Sequence, residues 1–245
     1  MKNTAEFLGF ERIYSTDLVY TPGCWKLCGD AHCCSFARYK AQFRVIARSP
    51  FQELLLLPGE YEYLSKKGWL EQFGEFDHKV IEFPIDGFVL KVESITSRKP
   101  NCACDHDTRP TICRLYPLLP VFDVGGRLVG TEPLGIYEEM ERVEGMEPAC
   151  KLTALPFDEI GKFLDIAAEL GKCPRHLYYL EAYRLTKKHV SAQLAERRAA
   201  SDSDVFSLFE TAFIRRKLVD RDQVRAQLND LMSRFRSYYG ASFEL

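Results

Sequence analysis

The chain has 245 residues and a formal net charge of −2 at pH 7; 46% of its residues are hydrophobic and 28% are charged. These values are typical of a folded soluble protein, and a charge this close to neutral gives no reason to expect nucleic acid as a partner. No apolar run approaches the roughly 20 residues of a membrane-spanning helix, and the first ten residues are too polar for a secretory signal. We therefore expect a cytoplasmic protein without a membrane partner.

The first half of the chain predicts a small mixed α+β core. A helix is predicted over residues 60–67, because Pro58 lies near its start and Gly68 marks its end. Two β-hairpins are predicted around turn sequences, Pro-Ile-Asp-Gly at 84–87 and Gly-Gly at 125–126. An acidic stretch, residues 132–147, is predicted to be a loop with a brief helical turn.

From residue 157 onward, apolar residues recur at intervals of three and four, which predicts amphipathic helices. Gly171 ends the first helix and Pro174 begins the second. Asp202 or Ser203 is the predicted N-cap of a third, and a fourth either follows it or continues it. We expect two regions: a cysteine-bearing domain and a C-terminal helical region packed on it. Their predicted bounds are 1–155 and 156–245.

Seven of the nine cysteines lie in two short windows, residues 24–34 and 102–113. Three interpretations compete: thiolate ligation of a metal, a disulfide framework, and burial of cysteine as a small apolar side chain. Metal binding is favoured because a chain of this length buries enough surface to fold without disulfides. In addition, packing rarely explains an adjacent pair such as Cys33 and Cys34.

The cysteine spacing resembles that of a known family. The two patterns are Cys24-x3-Cys28-x4-Cys33-Cys34 and Cys104-x4-Arg109-Pro110-x2-Cys113-Arg114-x-Tyr116-Pro117. They resemble the zinc- or iron-chelating cysteine-cluster proteins named for a CxxCxxCC signature. The second pattern matches the family's element residue by residue, whereas the first has longer spacings than the family shows. The resemblance covers roughly residues 20–150.

The resemblance implies a cysteine-ligated metal centre, with either an iron–sulfur cluster or zinc as the cofactor. The candidate ligands are Cys24, Cys28, Cys33, Cys34, Cys102, Cys104, Cys113 and Cys150. Eight thiolates provide two sites of four ligands, or one site with additional thiols. They exceed what one structural zinc requires, and this favours iron–sulfur. One relative of the family, flagellin lysine N-methylase, carries a similar cluster, but this chain lacks a Gly-rich loop for a nucleotide cofactor.

Three other residues inside the windows have two interpretations each. Arg109 is predicted to bind the cofactor, because a guanidinium offsets thiolate charge and donates hydrogen bonds to sulfur. The alternative for Arg109 is a loop arginine that pairs with a nearby aspartate. His32 and His106 are interpreted as solvated loop histidines rather than ligands.

The C-terminal helices are basic, with fourteen Lys or Arg and eight Asp or Glu between residues 172 and 236. This charge indicates a protein or peptide partner, or else the solvated face of amphipathic helices neutralised by the acidic 132–147 stretch. Two functional hypotheses follow, with metal storage or transfer as a third possibility. The first is a redox or modifying enzyme that acts on a protein or peptide, and the second is a structural zinc module whose helical tail binds a partner.

Overall fold

The computed structural model describes residues 3–20, 41–46, 52–85, 87–99, 105–146, 156–241 and 243–245. They form a mixed α+β fold with a helical C-terminal region, which confirms the predicted fold class. Within these ranges the helices are α1 (Asn3–Ser15), α2 (Glu60–Lys66), α3 (Thr111–Leu115), α4 (Ile136–Val143), α5 (Phe157–Gly171), α6 (Pro174–Ala199), α7 (Val205–Ile214) and α8 (Arg221–Tyr239). The strands are β1 (Gln52–Leu56), β2 (Phe76–Ile85), β3 (Phe88–Ser97), β4 (Leu118–Phe122) and β5 (Leu128–Pro133).

Two small antiparallel sheets form in the first half of the chain. In the larger sheet β3 lies between β1 and β2, and the β2–β3 hairpin turns between Ile85 and Phe88. The second sheet is the β4–β5 hairpin. Both hairpins occur where the turn sequences predict them, and β2 and β3 have ten residues each.

The tip of the second hairpin touches the end of α5 through two glycines. Gly126 has a φ of 85°, and a Cβ added there would lie 2.0 Å from the carbonyl oxygen of Gly171. A Cβ added to Gly171 would lie 2.3 Å from the carbonyl oxygen of Gly126. Any larger residue at either position would separate the backbones, so this contact requires glycine on both sides.

Buried side chains in the described ranges form three clusters, and each combines residues from both halves of the chain. The first joins Phe10, Leu56 and Ile95 to Phe163, Ile166 and Leu180. The second joins Ile85 and Leu90 to Leu177, Leu231 and Phe235, and the third joins Phe43 and Met140 to Val190 and Phe206. The C-terminal helices therefore share their apolar core with the first half of the chain.

Two local predictions need correction. Residues 136–143 form a regular helix rather than a brief turn, because Met140 is buried in the third cluster. The N-cap of α7 is Asp204, whose carboxylate accepts a hydrogen bond from the Ser207 backbone N–H at 2.9 Å. The helix α5 occurs as predicted, and its first residue, Phe157, is 87% exposed. No helix among the described residues is long and apolar enough to cross a membrane.

His176, on α6, makes stability depend on pH. Its Nε2–H donates to the Pro58 carbonyl oxygen at 3.1 Å, and burial lowers its pKa to about 4 from an ordinary 6.5. The unfolded chain therefore binds a proton that the folded chain excludes, and stability falls as the pH drops from about 6.5 to about 4. The full loss is about 3 kcal/mol. We expect His176→Gln to flatten the slope of unfolding free energy against pH in that window. The same slope in both proteins would contradict this assignment.

Candidate metal centre

Two of the cysteines lie within the described residues. Cys113 is a half-buried residue of the short helix α3, and Cys173 precedes the first residue of α6; neither forms a disulfide. The other predicted ligands lie outside the described residues: Cys24, Cys28, Cys33, Cys34, Cys102, Cys104 and Cys150. The candidate site is therefore built from Cys113, its supporting residues, and the points where the cysteine-bearing segments join the described fold.

A buried carboxylate holds the first turn of α3. Glu60 is fully buried, and one of its oxygens accepts from both the backbone N–H and the hydroxyl of Thr111, each at 2.6 Å. The same oxygen accepts from the Tyr14 hydroxyl at 2.8 Å, and the other accepts from the Leu57 N–H at 2.9 Å. Burial raises the pKa of Glu60, whereas these four donors favour the charged form. Backbone N–H groups only donate, and one of them faces each oxygen of Glu60, a pattern that favours the carboxylate.

Arg114 supplies positive charge over the ring of Tyr14. Its guanidinium carbon lies 4.6 Å from the centre of the Tyr14 ring, and the residue is 1% exposed. Its N–H groups donate to three backbone carbonyls: those of Arg109 and Thr16, each at 3.1 Å, and that of Asp107. Arg114 therefore ties α3 to the end of α1 and to the loop that precedes α3.

Arg109 acts as a clamp between two parts of the chain. Its guanidinium donates to the carbonyl oxygen and the Nδ1 of His106 and to the carbonyl oxygen of Leu18. Both Nη atoms of Arg109 therefore have protein partners, which are His106 and Leu18 rather than an aspartate. The role of Arg109 in cofactor binding stays a prediction. His106 is likewise held in a network rather than solvated, and burial together with Arg109 lowers its pKa.

Gln72 holds the start of the loop that precedes α3. Its side-chain oxygen accepts from the Asp105 backbone N–H at 3.0 Å and from the Thr108 hydroxyl at 2.9 Å. Its Nε2 donates to the Thr108 carbonyl oxygen at 3.0 Å. Residues 105–111, which directly follow Cys104 in sequence, are therefore anchored at both ends, by Gln72 and by Glu60.

The chain ends that lead toward the cysteine segments meet at one place. The carboxylate of Asp17 lies 2.9 Å from His106 Nε2, and this contact joins the chain before the first window to the chain after Cys104. The Val19 backbone N–H donates to a carboxylate oxygen of Glu159 at 2.6 Å, on the first turn of α5. The described chain resumes at residue 156, six residues after Cys150 and three before Glu159, so the third junction lies close to the other two.

The chain after the first window is held elsewhere, by Glu210 on α7. Its carboxylate accepts from three successive backbone N–H groups at residues 44–46, at distances of 3.1, 2.7 and 2.9 Å. These bonds lower the pKa of Glu210 despite burial. The first window is therefore bounded by one anchor on α5 and another on α7.

Asp17, His106 and Asp107 also place three potential ligand atoms within 4.8 Å of one another. The hydrogen bonds oppose the binding of a cation there. Because Arg109 donates to Nδ1 of His106, the ring proton lies on Nε2, which is the nitrogen that faces Asp17. That nitrogen donates to the aspartate and has no lone pair for a metal. We therefore interpret this group as part of the clamp.

Acidic residues of the 132–147 stretch pair with basic residues of α6. Arg184 and Lys188 lie 2.9 and 2.8 Å from the carboxylate of Glu132. Lys187, whose pKa burial lowers, lies 3.6 Å from Glu139. These pairs, in the described ranges, offset part of the positive charge of the helical tail.

Comparison with protein-family models, with curated proteins and with solved structures gives no significant match for this chain. The resemblance to the cysteine-cluster family therefore stays a prediction based on the spacing of the residues.

Sequence reasoning missed the supporting residues Glu60, Gln72 and Glu210. Each is a single polar residue far in sequence from the segment that it anchors, and no spacing rule connects them. For Glu60, an acidic residue in the first turn of a helix is already explained by the helix dipole. No local signal in the sequence distinguishes these residues from ordinary surface side chains.

Proposed function

We propose that this chain is a cysteine-ligated metal protein, with an iron–sulfur cluster favoured over zinc and a redox or modifying role on a protein or peptide. The observation that supports it most is the meeting of three junctions, at Val19, His106 and Glu159. Cys24 lies four positions after Tyr20, a reach of at most about 14 Å, and Cys104 directly precedes Asp105. Cysteines on segments that join the described fold at one place are able to bind one ion together.

The environment of Cys113 is consistent with this role. The helix that carries it is fixed by Glu60 and Arg114, and a ligand on a fixed element is held in the geometry that metal binding requires. Reduced thiolate ligands also suit a reducing compartment, and this supports the proposed cytoplasmic location.

The test is the metal content of protein purified under anaerobic conditions. We expect iron and acid-labile sulfide in matching amounts, together with the broad visible absorption of an iron–sulfur chromophore. Colourless protein that releases zinc to a chelator would replace the iron–sulfur assignment with zinc. Protein that contains neither metal, even after reconstitution with iron and sulfide or with zinc, would contradict the proposal.

A second candidate is the structural zinc module whose helical tail binds a partner. It is favoured by the turn between α7 and α8, where the consecutive cations Arg215, Arg216 and Lys217 are exposed. Phe213 and Ile214, just before them, are 43% and 52% exposed. Tightly held zinc, together with partner binding that is lost when the three cations are replaced, would favour this candidate.

A further inference from the structure

We propose that Glu60 is a positioning residue that holds Cys113 in the geometry in which its sulfur binds metal. The inference rests on the proposed function, because it assigns a role to a residue that supports a proposed ligand. Glu60 does not itself touch the metal in this account. It acts through Thr111, two residues before Cys113.

The short helix that carries Cys113 cannot fix its own position. α3 has five residues, and an isolated helix of that length is not stable in water. Its N-cap, Pro110, makes no side-chain capping bond. The backbone N–H and the hydroxyl of Thr111, in the first turn, both donate to one oxygen of Glu60 at 2.6 Å. Glu60 thus provides the bonds that hold this end of the helix.

The carboxylate of Glu60 is itself immobilised. Glu60 is the first residue of α2, and the Leu57 N–H and the Tyr14 hydroxyl fix its two oxygens. Because the carboxylate is fully buried, no water competes for these donors. The position of Cys113 is therefore determined by a rigid group rather than by a surface side chain that adapts.

Metal binding is more sensitive to this position than folding is. Thiolate-to-zinc bonds are about 2.3 Å long, and working sites tolerate deviations of only about 0.2 Å. The carboxamide of Glu60→Gln keeps the size and shape of the side chain. Its NH2 group, however, faces hydrogen-bond donors in place of an oxygen that accepted from them. The resulting displacement of α3 changes the sulfur position, while the apolar core around it stays intact.

The variants are Glu60→Gln, Thr111→Val, which removes one donor without changing the size of the side chain, and Thr111→Ser, which keeps that donor. Tyr178→Phe is the control for stability, because it removes a buried hydrogen bond to the Leu228 carbonyl oxygen in the second cluster. Two quantities are measured. One is the rate at which the metal passes to a chelator. The other is the rate at which Cys113 is alkylated in metal-free protein, resolved by peptide mass spectrometry, with Cys173 as the internal reference.

We expect Glu60→Gln and Thr111→Val to release metal about 10- to 100-fold faster than the parent. Thr111→Ser should behave like the parent, and Tyr178→Phe should lose stability without faster release. In the metal-free protein, Cys113 should be alkylated faster in these two variants than in the parent. The alkylation rate of Cys173 should be the same as in the parent. If Glu60→Gln does not fold, Thr111→Val and Thr111→Ser decide the question.

Release and alkylation rates equal to those of the parent would overturn the role of Glu60 and leave the proposed function intact. A parent protein that holds no metal would overturn the proposed function. The inference about Cys113 as a positioned ligand would fall with it, even if alkylation still distinguished the variants.

Discussion

Cys113→Ser is expected to lose bound metal and several kcal/mol of folding stability. Serine offers a hard hydroxyl in place of a soft thiolate, and metal binding is coupled to folding in cysteine sites, with apparent free energies of about 10–16 kcal/mol for a complete structural zinc site. One ligand of four carries a sizeable share of that value. Metal content per chain and urea denaturation measure the two effects.

The matched control is Cys173→Ser, since Cys173 is the other described cysteine and lies at the start of α6, outside both windows. It should keep the parent's metal content. In chelator-treated protein, Cys113→Ser should differ from the parent by only about 1 kcal/mol, because the packing of one half-buried sulfur is all that remains. Cys104→Ser should repeat the metal loss. Unchanged metal in both the Cys104 and the Cys113 variants would refute the ligand assignment.

Arg114→Met is expected to cost about 3–5 kcal/mol of unfolding free energy. The substitution removes a buried cation that donates to the carbonyls of Thr16, Asp107 and Arg109. Those acceptors are then left in a buried site, and the carboxyl group of Glu60 loses a nearby positive charge. Equilibrium denaturation by urea gives the value.

Arg114→Lys should recover little of this loss, because one compact ammonium cannot donate to three separated carbonyls as a planar guanidinium does. Arg127→Met is the control, since the side chain of Arg127 is 82% exposed and pairs with Asp123 at 3.0 Å. It should cost less than about 1 kcal/mol. An Arg114→Met protein as stable as this control would show that the buried network contributes nothing to the fold.

The parts of the fold that the sequence predicts are those with local signals. The hairpin at 84–87 and the start of α6 at Pro174 carry turn and helix-start residues, and both occur as predicted. By contrast, β1 becomes a strand because it pairs with β3, about forty residues away, and a short apolar run alone does not reveal that partner. The helix α5 has the predicted period, yet the sequence does not reveal which apolar stripe meets the core.

The candidate site likewise has one part with a local sequence signal and another part without one. Cysteine spacing is a local signal, and it predicts Cys104 and Cys113 as metal ligands without any structure. The groups that hold Cys113 in place are remote: Glu60 lies 51 residues from Thr111, and Thr16 lies 98 residues from Arg114. Contacts between residues so far apart depend on tertiary folding, and a single sequence contains no record of them.

The most direct test of a cysteine-ligated metal is X-ray absorption at the edge of the bound metal in anaerobically purified protein. This measurement counts the atoms around the metal and identifies their type. We predict sulfur neighbours at about 2.3 Å from the metal, and fewer of them in the Cys113→Ser protein. A first shell made only of oxygen and nitrogen, or a shell unchanged by that substitution, would contradict it.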